Sequence, residues 1–396
     1  MKTSVVFAFC VAALTSACVP AGPPPAFYSA AVAKPDAPHG ALIRYEPLPS
    51  SPTGARAYRI IYQSTMADGR AIPVSGMVIV PNSPAPAEGR PVIAWAHPTT
   101  GVQPRCAPSL SPLRFMMIPG LSDMLKRGFV VAATDYPGLG AGTVHPFLDG
   151  GSEGRAVLDS VRAAAAIPDA STNARFALWG HSQGGQAVLF AAHLARSYAP
   201  EFRLAGVAAA APATELGKLF RDDAGTTGGN NLSTLTLWSW ARVYGASYSN
   251  IVAPEAMAAV DTVAHQCWDA IIESPAEGAA DKVLAKQFFT VPDITKVEPW
   301  RSLIARNDAP VVPREFPVFL AQGDIDVIVR PPVTYDYMHR LCASGSRVTL
   351  DVLPNVGHDW AGMKSAEAAV GWIAERMSGV PAPDDCGRSV SAQPAH

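Results

Sequence analysis

A serine flanked by glycines, Gly180-His181-Ser182-Gln183-Gly184, stands where an apolar run from Arg175 to Trp179 gives way to a helical apolar face of Ala187, Val188, Phe190, Ala191 and Leu194. Glycine on both sides permits a tight, strained turn that lifts the serine oxygen above a sheet, and the N–H of the next residue, Gln183, then faces the same point. In a chain with 32 glycines the bare pattern also arises by chance, so its weight rests on the strand-turn-helix setting. That geometry serves nucleophilic attack. A serine hydroxyl is protonated at neutral pH, so the attack needs a base, and the base needs a group to orient it.

In an open parallel sheet, functional side chains come from loops at the carboxyl ends of strands. Among nine histidines, His358 has that setting: it follows the apolar run Val348 to Leu353 and precedes a helix expected over Ser365 to Met377. His181 adjoins Ser182 but points elsewhere on a sharp turn, and His97, His145, His193, His265 and His339 have no comparable position. For the acid, Gly323-Asp324-Ile325-Asp326 offers two carboxylates after a strand; Asp324 suits a turn hydrogen bond, which leaves Asp326 as the preferred partner of His358. The order Ser182, Asp326, His358 is that of the α/β-hydrolases rather than that of chymotrypsin or subtilisin. An oxyanion would be held by the Gln183 N–H and by a second N–H from His97-Pro98-Thr99-Thr100-Gly101. Pro98 has none to give, so Thr99 is the expected donor and Thr100 the fallback.

The elements that must position these residues read as alternating strands and helices. Ala57 to Thr65 and Val74 to Pro81, around Asp68-Gly69, form a hairpin. Val92 to Ala96, Phe129 to Thr134, Arg175 to Trp179, Leu204 to Ala211, Pro317 to Ala321 and Val348 to Leu353 follow, making eight strands. Helices are expected at Leu121 to Arg127 and at Ser152 to Ala166, the latter with Ser152 as N-cap. The expectation is an α/β fold: a mostly parallel eight-stranded sheet with helices on both faces. The glycine-rich loop Asp135 to Gly142 lacks dinucleotide spacing, because Thr143 takes the last glycine position and no helix opens there; it reads as a turn shaping the rim of a site. No cofactor is expected.

Residues 214–314 break the alternation: the interval is helical in propensity and reads as an inserted cap between core segments 41–213 and 315–378, with a tail over 379–396. Within it Trp240, Tyr244 and Tyr248 recur at a spacing that would share one helical face, with Trp238 nearby. Such a stripe usually packs a core; the alternative is an acyl pocket over Ser182.

A net charge of -2 with 16% charged residues provides no basic field for phosphates, so nucleic acid is not an expected partner. Residues 1–17 read as a signal peptide: Lys2, then an apolar stretch from Val5 to Leu14, then small residues before Cys18. The expectation is export to the periplasm or beyond, either by plain secretion or with membrane attachment through a lipidated Cys18, followed by a flexible tether over 18–40. Beyond Cys18 four cysteines remain, Cys106, Cys267, Cys342 and Cys386, which reads as two disulfides with three connectivities open. No zinc-binding spacing occurs, so no metal is expected.

Ala96-His97-Pro98-Thr99-Thr100-Gly101, Arg105-Cys106-Ala107-Pro108-Ser109, Asp135 to Gly140, Gly180 to Gly185, Tyr198-Ala199-Pro200-Glu201 and Ala211-Pro212-Ala213 together resemble the secretory lipase family, to which Candida lipase A-type enzymes belong. The likeness runs from about Tyr58 to Met377, with Pro98 where family members usually carry glycine. It implies an α/β-hydrolase fold with a helical cap, lipase or esterase activity on a small-molecule ester or lipid, and no cofactor. Pairing of Cys106 with Cys267 would tie the loop after the Val92 strand to the cap, and Cys342 with Cys386 would pin the tail; the resemblance supports the same pairing. The same residues could serve a short-chain deacetylase, a peptidase or an acyltransferase, and an inactive fold could serve as a surface binding protein.

Overall fold

The computed structural model describes residues 25–29, 36–142, 144–268 and 274–388. The expected signal peptide and Cys18 lie outside the described residues. Nine strands form one sheet: β1 (Leu42–Pro47), β2 (Ala55–Thr65), β3 (Ala71–Pro81), β4 (Arg90–Ala96), β5 (Val130–Thr134), β6 (Thr172–His181), β7 (Arg203–Ala210), β8 (Val318–Gly323) and β9 (Val348–Leu353). Their order is β1-β2-β3-β5-β4-β6-β7-β8-β9, with β1, β2 and β3 antiparallel to their neighbours and β4 to β9 parallel. This is the α/β sheet expected, with one strand more than the eight read from the sequence. The addition, β1, is a half-exposed edge strand carrying Arg44 and Glu46, so it has no apolar run to announce it.

The parallel strands are buried on both faces because their side chains alternate between two cores. In β4, Val92, Ala94 and Ala96 join one cluster while Ile93 and Trp95 join the other. The helices are α1 (Ala26–Ser29), α2 (Leu121–Lys126), α3 (Gly150–Ala165), α4 (Gln183–Tyr198), α5 (Leu216–Asp222), α6 (Thr227–Val243), α7 (Met257–Ala264), α8 (Pro275–Lys286), α9 (Trp300–Arg306), α10 (Pro331–Ala343) and α11 (His358–Met377). α3 and α4 contribute to the first core, and α2 and α11 to the second.

Several local expectations are corrected. Asp149, not Ser152, caps α3: its carboxylate accepts from the Ser152 N–H, while the Ser152 hydroxyl accepts from the Ala67 N–H. α11 starts at His358 rather than Ser365, so the base candidate is the first residue of the helix. Within the stretch expected as tether, Ala26–Ser29 form α1 and Tyr28 is buried, its hydroxyl 2.8 Å from Ser109 Oγ.

Between β7 and β8 the regular elements among the described residues are helices joined by loops with isolated bridges, and α5 to α9 enclose an apolar cluster of their own. Trp240 belongs to it, stacked on Trp300 and donating Nε1–H to Phe147 O. α6 ends at Val243 with Tyr244 as its C-cap, and Gly245 turns the chain at φ +69°. Tyr248 therefore lies beyond the helix, and the aromatic spacing marks a packed core, not a pocket lining.

Two disulfides, Cys106–Cys267 and Cys342–Cys386, close segments of 161 and 44 residues. The first joins the loop after β4 to the helical interval, and the second joins α10 to the tail. In the chain-entropy limit they contribute about 5 and about 4 kcal/mol. Replacing Cys106 and Cys267 by serine should therefore lower the urea midpoint more than replacing Cys342 and Cys386. Equal or reversed losses in parallel urea titrations would overturn that ranking.

Candidate active site

Ser182 links β6 to α4 at φ 58° and ψ −119°, a left-handed conformation that costs free energy and persists only where surroundings enforce it. They do so by close approach. A Cβ on Gly180 would lie 2.2 Å from Gly184 O, and one on Gly184 would lie 2.0 Å from Ala96 O. Only glycine fits both positions, so the N-terminus of α4 sits hard against the end of β4. The Ser182 N–H donates to Ala210 O at 2.9 Å, which fixes the turn to β7.

Three separated segments meet there. His358 Nε2 lies 2.8 Å from Ser182 Oγ, and His358 Nδ1 lies 2.8 Å from Asp326 Oδ2. With Nδ1–H donating to the carboxylate, Nε2 is left to accept a hydrogen bond from the serine hydroxyl. The other oxygen of Asp326 accepts from the N–H groups of Ile328 and Val329, each at 2.9 Å, and the side chain is fully buried. Asp324 instead is exposed and accepts from the Asn355 N–H at 2.6 Å.

The electrostatics follow from burial and one opposite charge. Burial pulls the His358 imidazole down, but the Asp326 charge and hydrogen bond outweigh it, aided by Asp359 and Asp223, and hold it above its ordinary 6.5. His181, which the sequence set aside, donates Nε2–H to His358 O at 3.0 Å. Burial, with the His358 charge beside it, pushes His181 down to about 3, so it positions the base without adding charge. Gln322 was also illegible in the sequence: its Nε2 donates to Gly323 O and Val329 O, bracing the Asp326 turn from behind.

Gln183 is held by its side chain. Its Nε2 donates to Glu153 Oε1 at 2.7 Å and to His145 Nε2 at 2.9 Å, and His145 in turn donates from Nδ1 to Pro137 O. Burial keeps His145 neutral, down at about 3, and raises Glu153 well above the usual carboxyl range. Across from it, the loop carrying Thr99 is braced where Tyr136 OH donates to His97 O at 2.9 Å and the Trp268 N–H donates to Thr100 O. The glycine-rich loop thus buttresses the site from behind instead of forming its rim.

Ser182, Gln183 and Thr99 open into a narrow cavity walled by Leu216, Leu219, Phe220, Leu232, Ile328 and Val329. Asp223 also lines it. Asp223 follows α5 as a helix-end acid, and tertiary packing turns it inward.

Residues 115–385 match the family described as secretory lipase. The chain is similar to Lipase A of Moesziomyces aphidis, 22% identical over 380 residues that cover 85% of this chain and 76% of the relative. Candida antarctica lipase A in its closed state shares the fold at a TM-score of 0.72 and 17% identity, covering 89% of this chain and 85% of that one. The rice cell wall degrading esterase LipA of Xanthomonas oryzae does so at 0.67 and 20%, covering 86% and 98%.

The paired environment of His358 gives a direct test. Its imidazole should titrate above 6.5 in the intact protein, and Asp326→Asn should lower it, because burial is then opposed only by the lesser charges of Asp359 and Asp223. Imidazole resonances followed by NMR across the pH range report this; a midpoint unchanged by Asp326→Asn would remove Asp326 as its partner.

Proposed function

We propose that this chain, which belongs to the secretory lipase family, hydrolyses neutral carboxylic esters through an acyl-enzyme on Ser182. The observation that carries the reading is the unbroken relay Ser182–His358–Asp326, each link 2.8 Å, opening into an apolar cavity. His358 takes the serine proton as Oγ attacks the ester carbonyl. Asp326 holds the imidazole in the required tautomer and stabilises its charged form. The N–H groups of Gln183 and Thr99 receive the oxyanion, each contributing on the order of 3 kcal/mol. His358 returns the proton to the departing alcohol, and water repeats the sequence to free the acid.

The helical interval 214–314 acts on this reading as a cap whose α5 and α6 roof the acyl cavity. Export is supported by the family's secretory character, by the expected leader and by two disulfides, which persist in oxidising compartments. The acyl-enzyme could equally pass its acyl group to an alcohol, so acyl transfer is a second outcome of the same chemistry.

Ser182→Ala and His358→Ala should each lower ester turnover on the order of 10⁶-fold. Asp326→Asn should lower kcat by orders of magnitude and Asp324→Asn should have little effect. Labelling of the wild type by a fluorophosphonate, lost in Ser182→Ala, reports an activated serine independently of substrate. If Ser182→Ala keeps more than a few per cent of activity, the nucleophile is misassigned.

The cavity walls set a second expectation. Each methylene buried there contributes about 0.8 kcal/mol, so kcat/KM should rise about fourfold per methylene from nitrophenyl acetate towards medium chains. A flat profile, or a maximum at acetate, would reject the acyl pocket and indicate a short-chain deacetylase.

A further inference from the structure

The cavity beside Ser182 is apolar except at one wall, where α5 hands over to α6. Asp223 caps the end of α5, and its carbonyl accepts from both the N–H and the hydroxyl of Thr226, the N-cap of α6. Gly229 packs so tightly on it that a Cβ there would lie 2.1 Å from Asp223 O. The backbone is thereby fixed with the side chain turned inward: the residue is only 3% exposed, yet lines the cavity.

Its carboxylate is incompletely partnered. Oδ1 receives one long contact, 3.4 Å from Arg330 Nε, and Arg330 is itself engaged with Asp222 O and is partly exposed. Among the described residues Oδ2 has no hydrogen-bond partner. Burial accordingly lifts the Asp223 carboxyl to about 7, with Arg330 pulling the other way. On the same wall α6 presents Gly229, Leu232, Ser233 and Thr236. The Thr236 hydroxyl is satisfied by Leu232 O, whereas Ser233 Oγ has no protein partner among the described residues although Ser233 is buried.

Two open polar atoms in an otherwise apolar wall are better met by an apolar chain with one polar group than by a plain one, since covering a buried polar atom without a partner is costly. An ammonium group fits poorly, because Arg330 already lies beside the carboxylate. A hydroxyl fits: it donates to a carboxylate and can accept from a serine.

We propose that Asp223 makes this cavity selective for esters whose apolar acyl chain carries a hydroxyl group, which donates to the free oxygen of Asp223. The assignment rests on Ser182-dependent ester hydrolysis as proposed above. An ion pair serving only to hold α5 to the segment before α10 would leave substrate selectivity untouched.

The test is a set of nitrophenyl octanoates bearing a hydroxyl at successive chain carbons, measured beside unsubstituted octanoate and an amino-substituted octanoate. The readout is the ratio of kcat/KM values within one preparation, which cancels the folded fraction of any variant. The full-length wild type should favour one hydroxylated isomer over the parent by at least about tenfold. Asp223→Leu should reverse that preference and Asp223→Asn should leave it intermediate. The proposal is overturned if no isomer exceeds the parent, if Asp223→Leu keeps the wild-type ratio, or if the amino-substituted chain is preferred to every hydroxylated one. Cleavage of the parent that depends on Ser182 but shows no hydroxyl preference removes this selectivity alone. Failure to cleave any ester or to react with a fluorophosphonate removes the hydrolase reading and this inference with it.

Discussion

The structure depends on one steric constraint, the contact between the start of α4 and the end of β4. Gly184 can lie on Ala96 O only because it has no side chain, and the same contact lets Ser182 occupy a left-handed backbone conformation between two regular elements. A strained residue of this kind is held by its surroundings, not by its own preference. Here the surroundings are the middle of the sheet: β4 on one side, and β7 through the Ser182 N–H on the other. The hydroxyl therefore has a fixed position before any partner arrives, and the partners need only be delivered to it.

Delivery is made by buried groups kept neutral. His181, His145 and His97 are all pushed well below the usual imidazole range by burial, so each acts as a hydrogen-bonding strut and none as a charge. The contrast is His358, largely buried but facing Asp326, which alone among these four is held in the opposite direction. One carboxylate thus separates a titrating histidine from three inert ones. The amides Gln183 and Gln322 do the corresponding work for the oxyanion side and the acid side, each donating twice or more into a buried network.

Ser182 and His358 were legible in the sequence because their signals are local: a glycine-bounded turn after an apolar run, and a histidine after the last strand. Asp326 followed from the loss of Asp324 to a turn bond, which the structure places at the Asn355 N–H. Long apolar runs revealed eight strands, whereas β1 escaped because Arg44 and Glu46 interrupt this half-exposed edge strand and leave it no apolar run. Periodicity misled where a helix ended inside the pattern, as at Tyr244. Capping misled at Ser152, because the carboxylate of Asp149, three residues earlier, caps α3 while the Ser152 hydroxyl is engaged by the Ala67 N–H. Asp223, His181 and Gln322 were invisible for a single reason: their roles are defined by neighbours more than a hundred residues away or by packing inside a loop, and no local pattern encodes either.

The order of strands carries a consequence for how the chain is made. β6 and α4 build the serine turn from residues in the first half of the chain, while Asp326 and His358 follow β8 and β9 at the far edge of the sheet. A nascent polypeptide that has emerged as far as β7 already possesses the turn but neither residue that would act on it. The relay closes only after the whole helical interval has been synthesised and the last two strands have added to the sheet. Only the finished chain therefore brings Ser182, Asp326 and His358 within hydrogen-bonding distance of one another.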